Sequence, residues 1–309
     1  MHITRTNDYT IQVFGGKIYK IALDGGFTCP NRDGTKGYGG CIFCSGQGSG
    51  DFAASVTADS VHDSIREGIR RIESKVRNVE GYIAYFQAFT NTYAPVARLR
   101  ELFMAAVSEE EVVALSIATR PDCLGEEVLE LLKELNSIKP IWVELGLQTI
   151  HPATAEYIRR GYDLEEYDTA VINLKKIGIP HVITHVIIGL PGETEEMMSD
   201  TVRYVVRSGA DGIKLQLLHV LKGTDLALDY ADGKFDVLSL DEYIEILRKC
   251  LKLIPEGFVV HRLTGDGDKR ELIAPLWSGD KKKVINSINK MINETGSNFL
   301  FHKKKDEEQ

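Results

Sequence analysis

Cysteine is scarce in this chain, with five among 309 residues, an odd number whose spacing suggests no disulfide framework. Small secreted domains need such a framework because their cores are too small to hold them folded. In a reducing compartment, cysteines are instead buried small side chains or ligands. The lack of a disulfide pattern therefore directs attention to cysteines that lie close together in the sequence.

Long apolar runs are also missing, and none approaches the roughly 20 residues that a membrane-spanning helix requires. The N-terminal segment MHITRTNDYT contains no apolar region of the kind found in signal peptides. We therefore expect a cytoplasmic protein with no membrane partner.

Positive charge is in short supply, because 37 Lys and Arg residues stand against 45 Asp and Glu residues and the net charge is −8. This balance excludes a surface that binds nucleic acid everywhere. From residue 261 to the end, however, ten Lys and Arg residues stand against eight Asp and Glu residues. A local basic surface is therefore expected in the C-terminal region, if anywhere.

Short apolar, β-branched runs alternate with segments of helical period, which predicts a parallel sheet covered on both faces. The predicted strands are 17–23, 82–86, 112–118, 141–147, 181–188 and 213–219. The predicted helices are 60–77, 95–107, 126–135, 164–177, 194–208 and 240–253. About six such units favour an α/β fold, a partial (βα)6 TIM-like barrel. A doubly wound sheet is the alternative, because one sequence does not reveal strand order.

The C-terminal region breaks this alternation. Residues 258–263 predict one more strand, 264–269 a loop rich in Gly and Asp, and 281–292 a basic amphipathic helix. We predict a core at residues 1–255, which includes an N-terminal cysteine loop, and a cap of the barrel at residues 256–309. In either sheet topology, functional side chains are expected at the C-terminal ends of the strands.

Three of the five cysteines, Cys29, Cys41 and Cys44, lie in one glycine-rich loop after the first predicted strand. The loop GFTCPNRDGTKGYGGCIFC can wrap a bulky inorganic centre while its amides hydrogen-bond to sulfur. Three thiolates on a four-iron cluster leave one iron open to another ligand. Buried structural cysteines, or a zinc site that borrows a fourth ligand such as histidine, are the alternatives.

The cysteine spacing, with the aromatic Phe43 before the last cysteine, resembles the radical S-adenosylmethionine (SAM) superfamily. The segments SIATRPD, WVELGLQTI, RRGY, HVIIGLPGET and KLQLLHVLKGT resemble its Elp3-type and coproporphyrinogen-dehydrogenase-like members. The segments DGGFTCPNRDGT, GSGDF and HRLTGD…LIAPLWS resemble in particular the bacterial YtqA/YhcC-type subfamily, also called MnmL. The resemblance covers nearly the whole chain.

The resemblance implies a radical SAM enzyme whose [4Fe–4S] cluster is held by the three cysteines and binds SAM at its open iron. In such enzymes an electron from the cluster cleaves SAM to methionine and a 5′-deoxyadenosyl radical, which abstracts hydrogen from the substrate. A reducing partner such as flavodoxin or ferredoxin is implied. The subfamily further implies action on the anticodon loop of tRNA, where the carboxymethylaminomethyl group of the wobble uridine becomes aminomethyl.

The resemblance also implies which side chains meet the cofactor. Gln148, in the segment GLQ, matches a glutamine that contacts the ribose, and Arg160, in RRGY, matches an arginine that faces the carboxylate. A polar strand end, a solvated arginine and a core histidine are the alternatives for Gln148, Arg160 and His185. The residues assigned to the cofactor are Phe43, Gln87, Thr119, Arg120, Gln148, Arg160, His185, His219 and Val220.

A lysine inside an apolar strand needs a buried partner, and this singles out Lys214. Glu144, inside the fourth predicted strand, is a candidate partner for Lys214 or for Arg120. We assign catalytic roles to Lys214 and to Arg262 and Asp266, which lie in the segment HRLTGDGDKREL after the last strand. A salt-bridged lid is the alternative for that segment.

Two groups of basic residues are candidates for phosphate contacts in a tRNA complex, with a solvated basic face as the alternative for both. They are Lys281, Lys282, Lys283, Lys290, Lys303, Lys304 and Lys305 in one group and Arg70, Arg71, Lys75 and Arg77 in the other. A radical SAM enzyme for a small metabolite or a protein side chain is the alternative function, which the acidic body of the chain fits. A non-catalytic metal-binding regulator is a remote alternative, because it leaves the strand-end motifs without a role.

Overall fold

The computed structural model describes residues 3–294 except residues 47, 49–52, 266 and 268. Strands alternate with helices, and each of the six predicted strands is present within a few residues of its predicted bounds. The strands are β1 (Thr4–Arg5), β2 (Lys17–Asp24), β3 (Ala54–Ser55), β4 (Val79–Phe86), β5 (Val112–Thr119), β6 (Ile141–Gln148), β7 (His181–Ile188), β8 (Gly212–Leu217), β9 (Val220–Leu221), β10 (Val259–Arg262) and β11 (Leu272–Ala274).

The helices cover the outer face of the sheet through apolar stripes at helical spacing. They are α1 (Thr6–Phe14), α2 (Val61–Glu73), α3 (Val96–Ser108), α4 (Glu126–Asn136), α5 (Pro152–Tyr157), α6 (Leu164–Lys176), α7 (Glu195–Arg207), α8 (Asp225–Ala231), α9 (Leu240–Lys252) and α10 (Lys281–Glu294). In α4, for example, Leu131 and Leu135 are buried four residues apart, and each contributes roughly 1.5–3 kcal/mol of burial free energy.

The main sheet of the described residues has nine parallel strands in the order β1-β10-β8-β7-β6-β5-β4-β2-β3. From β4 to β8 each strand lies beside its predecessor in the chain, so the order never reverses as it does in a doubly wound sheet. The sheet curls into a half-barrel. The predicted partial barrel is therefore confirmed, and the doubly wound alternative is wrong.

The inside of the half-barrel is layered, because alternate residues of every strand face inward. An apolar layer fills the end nearest the N-termini of the strands and consists of Ile18, Ile83, Ala114, Trp142 and Ile183. Two residues further along the strands, the inward side chains become polar. The C-terminal ends of the strands are thus the part of the barrel that apolar packing leaves available for chemistry.

The C-terminal region contributes to both the barrel and its cover. Strand β10, predicted as part of the cap, pairs with β8 inside the main sheet, whereas β11 pairs antiparallel with β9 in a separate two-stranded sheet. Helix α10 buries Val284, Ile288 and Met291 and packs on α9. The predicted division at residue 255 stays a prediction.

One strand boundary differs from its prediction in a way that affects the site. Strand β8 ends at Leu217 instead of continuing to residue 219, because the chain turns there to start β9. Val220, in β9, is fully buried and pairs with Ala274 of β11. His219 consequently lies in the connection between two strands and not at the end of a barrel strand.

Candidate active site

The cysteine loop follows β2 and is held in shape by its own backbone. The amide of Arg32 donates to the carbonyl of Cys29 at 2.8 Å, and the amide of Cys44 donates to that of Cys41 at 3.0 Å. Gly40 has a φ of +85°. A Cβ there would also lie 3.0 Å from the side chain of Arg32, so the turn before Cys41 requires glycine.

Asn31 ties this loop to the segment that follows α5. Its side-chain amide donates to the carbonyls of Arg159 at 2.6 Å and Arg160 at 3.1 Å, and it lies 3.6 Å from the sulfur of Cys41. Gly161 accommodates it, since a Cβ at that position would lie 2.5 Å from the Asn31 oxygen. The connection fixes Cys41 relative to the strand ends before any cofactor binds.

The three thiols are close enough to influence one another. The pKa of Cys41 is raised to about 12, chiefly by desolvation and also by the neighbouring Cys44 and Cys29, while Arg120 opposes the shift. Three thiolates in one place therefore need a positively charged centre to be stable. In the part of the chain that the structure describes, no three Cys, His, Asp or Glu side chains are arranged to hold a single metal ion.

An inner cavity of about 940 Å³, counted to its open mouth, joins the cysteine loop to the strand ends. All three cysteines line it, together with these residues assigned from sequence: Phe43, Gln87, Thr119, Arg120, Gln148, Arg160, His185, Lys214 and Arg262. The structure thus brings most of the predicted site residues to one place.

Two buried arginines, Arg120 and Arg160, hydrogen-bond to the backbone in the wall of the inner cavity. Arg120 forms a two-pronged ion pair with Asp122, at 2.9 and 2.8 Å, and donates to the carbonyl of Arg160 at 2.7 Å. Arg160 is 4% exposed and donates to the carbonyls of Thr149 at 2.5 Å and Tyr162 at 3.1 Å. The solvated alternative for Arg160 is wrong, and much of its donor capacity goes to the backbone after β6.

Gln148, at the end of β6, is the residue that best tests whether a polar cofactor fits the cavity. Its φ of +69° is unusual for a residue with a side chain. Its Oε1 is buried and has no hydrogen-bond partner among the described residues. A buried polar atom without a partner costs free energy unless a ligand supplies one. Since Gln148 lines the inner cavity, a ligand with hydroxyl or amino donors fits there.

We expect Gln148→Leu to raise the dissociation constant of SAM between about five- and tenfold, the effect of one lost hydrogen bond. Equilibrium dialysis of the anaerobically reconstituted protein measures this constant. The unfolding temperature should change little, because Oε1 has no partner among the described residues to leave behind. If the dissociation constant is unchanged and the unfolding temperature falls, Gln148 is a structural polar residue at the end of its strand and does not bind the cofactor.

Below the cavity, the polar layer of the barrel centres on Glu144. This carboxylate is fully buried, and its pKa lies well below the usual value because neighbouring positive charges outweigh the desolvation that would raise it. Lys214 was expected to need a partner, and Glu144 is that partner. The donors to Glu144 are Lys20 (2.6 Å), Ser116 (2.8 Å), Tyr85 (2.9 Å), His185 (2.7 Å) and Lys214.

His185 connects this layer to the cavity. Its Nε2 lies 2.7 Å from a Glu144 oxygen, and its Nδ1 lies 3.2 Å from the side-chain nitrogen of Gln216. Burial, above all, lowers the pKa of His185 to about 4, so the ring is neutral at pH 7. A neutral ring that donates through Nε2 must accept through Nδ1, which fixes the direction of the Gln216 amide.

An outer cavity of about 1260 Å³ continues from the inner one on the side of β8 and β10. Gln216 and Arg262 line both cavities. His219 lines the outer cavity together with Lys281, the first residue of α10. Gly265, in the loop that follows β10, packs on His219, since a Cβ at position 265 would lie 2.8 Å from the His219 ring. Val220 lines neither cavity, and Asp266 lies outside the described residues.

Four contributors to the site were not identified from sequence: Lys20, Asn31, Tyr85 and Gln216. Gln216 follows Lys214 at the spacing of two that places strand residues on one face, which was a usable signal. Tyr85, on β4, precedes Gln87 by the same spacing, and Gln87 is the first residue after that strand. For Asn31, the partner segment lies more than a hundred residues away, and no local pattern marks that contact.

The sequence matches the models of two protein families. The model of the Radical SAM superfamily matches residues 29–205, more than half of the chain, and the model of the Radical_SAM C-terminal domain matches residues 210–294. The chain belongs to the radical SAM superfamily. Radical SAM enzymes use a [4Fe–4S] cluster and SAM, so the zinc interpretation of the cysteine loop is wrong. None of the described helices is long and apolar enough to cross a membrane.

Two bacterial radical SAM relatives match nearly the whole chain. YtqA of Bacillus subtilis is 48% identical over 284 residues, which cover 92% of this chain and 87% of YtqA. YhcC of Escherichia coli is 37% identical over 284 residues, which cover 92% of this chain and 90% of YhcC. The resemblance to YtqA/YhcC-type proteins is confirmed.

Two archaeal relatives share part of their length with this radical SAM protein. The tRNA uridine(34) acetyltransferase of Methanocaldococcus jannaschii is 30% identical over 162 residues, 52% of this chain and 29% of that protein. The structure of Elp3 from Methanocaldococcus infernus has a TM-score of 0.66 over 90% of this chain and 63% of that chain, at 18% identity. At this identity the structural likeness shows the fold alone.

Proposed function

We propose that this radical SAM enzyme acts on tRNA and converts the carboxymethylaminomethyl group of the wobble uridine to aminomethyl, in the cytoplasm. The observation that carries the proposal is the outer cavity, which leads from the inner cavity to the start of the basic helix α10. The tRNA uridine(34) acetyltransferase of Methanocaldococcus jannaschii matches half of this chain, and its name supports tRNA as the class of substrate.

The cofactor supplies the radical chemistry when it is bound, and the protein supplies position and a dry environment. Cys29, Cys41 and Cys44 would hold the cluster. Gln148 would bind the sugar hydroxyls of SAM through its unpartnered oxygen. The apolar layer at the N-terminal ends of the strands fills the barrel on the side opposite the cavity.

Superfamily enzymes need a reductant, which we propose to be a flavodoxin or ferredoxin. The reaction class, tRNA modification of transferase or lyase type, belongs to the proposal as well. Arg262 would contact the substrate, because it lines both cavities and so lies where they join.

The exposed face of α10 is the part of the surface that we assign to tRNA. Lys282, Lys283 and Lys290 are exposed and line one shallow groove. None of these three lysines lines the inner or the outer cavity, whereas Lys281 lines the outer one. The helix therefore offers phosphate contacts beside the opening through which a base would enter.

A base reaches a buried cofactor only if it leaves its stack. An anticodon loop meets this requirement at low cost, because its bases are already unpaired and can be splayed outward. The half-buried Phe43, which lines both cavities, offers an aromatic surface for such a base. This geometry favours a nucleotide in a single-stranded loop over one in a duplex.

We expect the triple variant Lys282→Gln, Lys283→Gln and Lys290→Gln to weaken tRNA binding and to reduce its salt dependence by up to about three phosphate contacts. Fluorescence anisotropy at several salt concentrations measures both effects. The slow release of 5′-deoxyadenosine without RNA should not change, since these lysines lie outside the cavities.

The matched control carries the same charge change on α2, as Arg70→Gln, Arg71→Gln and Lys75→Gln. Arg70 and Arg71 already pair with Glu67, so this variant should bind tRNA like the wild type. Equal loss of binding in both variants would point to a diffuse charge effect. If tRNA neither binds nor stimulates 5′-deoxyadenosine release at low salt, the small-metabolite or protein-substrate function replaces this proposal.

A further inference from the structure

Lys214 has more hydrogen-bond donors than its surroundings use. Its ammonium group donates to Glu144 and to the hydroxyl of Tyr85 at 3.1 Å. An ammonium group has three N–H donors, and no third acceptor for Lys214 exists among the described residues. Lys214 is 4% exposed and lines the inner cavity. Its remaining donor is therefore buried and open only to a ligand in the cavity.

The charges around Lys214 also favour an anion. One carboxylate, Glu144, is shared between the ammonium groups of Lys20 and Lys214. His185 is neutral at pH 7, and burial raises the pKa of Tyr85 well above its usual value, so neither contributes a negative charge. The charged and titratable groups that face Lys214 are Lys20 on β2, Tyr85 on β4, Glu144 on β6, His185 on β7, and His261 and Arg262 on β10.

The pKa of Lys214 is lowered to about 7; burial is the largest cause, the charges of Lys20 and Arg262 act in the same direction, and Glu144 opposes the shift. An anion bound next to Lys214 would reverse part of this shift. Binding and protonation are therefore linked: the anion takes up a proton with it near neutral pH. This linkage provides a readout that does not depend on enzyme turnover.

Lys214 and the cysteine loop belong to different strands of the half-barrel. The loop follows β2 and is tied by Asn31 to the segment after β6, and its Phe43 and Cys44 also line the outer cavity. Lys214 lies on β8, which is five positions from β2 in the strand order, and precedes by two residues Gln216, which lines both cavities. A group that enters from the outer cavity past Gln216 would approach Lys214 along β8.

We propose that Lys214 forms a carboxylate-binding subsite at the base of the inner cavity, which recognises a carboxylate on the substrate. The inference rests on the proposed function, in which this carboxylate belongs to the carboxymethyl group of the modified uridine. Tyr85 and Glu144 hold the ammonium group in place, and the third N–H donates to the ligand. The subsite would distinguish the substrate from its aminomethyl product.

The experiment compares two synthetic anticodon stem-loops that differ only in carrying carboxymethylaminomethyl-uridine or aminomethyl-uridine. Their dissociation constants are measured on the reconstituted enzyme with SAM and without reductant, so that no turnover occurs. We expect the wild type to bind the carboxymethyl form about tenfold more tightly, as one charge-assisted contact provides. Lys214→Met should reduce the preference to less than about twofold.

Lys20→Met is the matched control, because Lys20 contacts the same carboxylate but does not line the cavity. It should retain the preference. The proposal is overturned if Lys214→Met retains it too, or if that variant weakens SAM binding and leaves the preference between the two stem-loops intact. The second result would make Lys214 a cofactor contact.

A second measurement on the wild type covers the case in which Lys214→Met does not fold or neither stem-loop binds. Protein containing lysine labelled with ¹³C at Cε is titrated by NMR with and without N-methylglycine, a small analogue of the side-chain end. The lysine signal that titrates near pH 7 should move to a higher pKa when N-methylglycine is present. If neither stem-loop binds but this shift occurs, the tRNA proposal fails and the subsite stands; no shift overturns the subsite.

Discussion

Cys41→Ala is expected to yield a folded protein that takes up no [4Fe–4S] cluster and releases no 5′-deoxyadenosine. Two thiolates remain in the loop, and too few ligands are left to hold four irons. Folding should survive, because Cys41 is half-buried and its hydrogen bonds are long contacts of 3.6 Å to Asn31 and 3.5 Å to a carbonyl. Iron analysis and the visible absorption of the anaerobically reconstituted variant provide the measurement.

Cys250→Ala is the matched control for the loss of the cluster. Cys250 is fully buried in α9, where burial raises the pKa of its thiol to about 12, and it does not line the inner or the outer cavity. Its variant should lose some stability and keep about four irons per chain. Equal loss of iron from both variants, or stoichiometric zinc in the wild type, would contradict the assignment of the ligands.

Glu144→Ala is expected to lower the free energy of unfolding by about 3–5 kcal/mol, the cost of removing one partner from a buried ion pair. The change leaves Lys214 without its counter-charge inside the barrel and Lys20 without its ion pair. Urea unfolding followed by circular dichroism measures the loss. The control is Glu195→Gln, since Glu195 forms an exposed pair with Lys249 and should cost less than about 1 kcal/mol.

The same variant should change how stability depends on pH. Because the pKa of Glu144 is depressed in the folded protein, its contribution is complete above the unfolded value of about 4.3 and is lost as the pH falls through the folded value. The difference in unfolding free energy between wild type and Glu144→Ala should therefore shrink in acid. A difference that stays constant down to pH 3 would show that Glu144 acts by packing and not by charge.

The sequence was sufficient for the barrel because its strands are buried on both faces and therefore form continuous apolar runs, such as residues 181–188. Short elements were not predicted, and α5 is an example: six residues do not show a helical period. Strand β9 was merged with β8 for a similar reason. Apolar residues continue through the turn at Leu218, and the change of sheet depends on pairing with β11, more than 50 residues later in the chain.

The site was predictable where a residue type at a given spacing has one common function, as the three cysteines do. It was less predictable where a side chain of one type can serve several functions. Arg160 was expected to face a ligand, yet its guanidinium bonds to carbonyls of residues 149 and 162. Only the three-dimensional position of those carbonyls decides this. Glu144 was expected to pair with Lys214 or with Arg120, and it pairs with Lys214; the prediction was possible because few carboxylates occur inside the apolar strands.

The order of strands in the open sheet has a consequence for how such proteins diverge. The cysteine loop belongs to the first half of the chain, whereas Gln216, Arg262 and Lys281, which border the outer cavity together with Phe43 and Cys44 of that loop, belong to the last third. A half-barrel has no strand pairing that closes these two ends upon each other. Substitutions, insertions or appended domains in the last third can therefore change which molecule enters without altering the three cysteines.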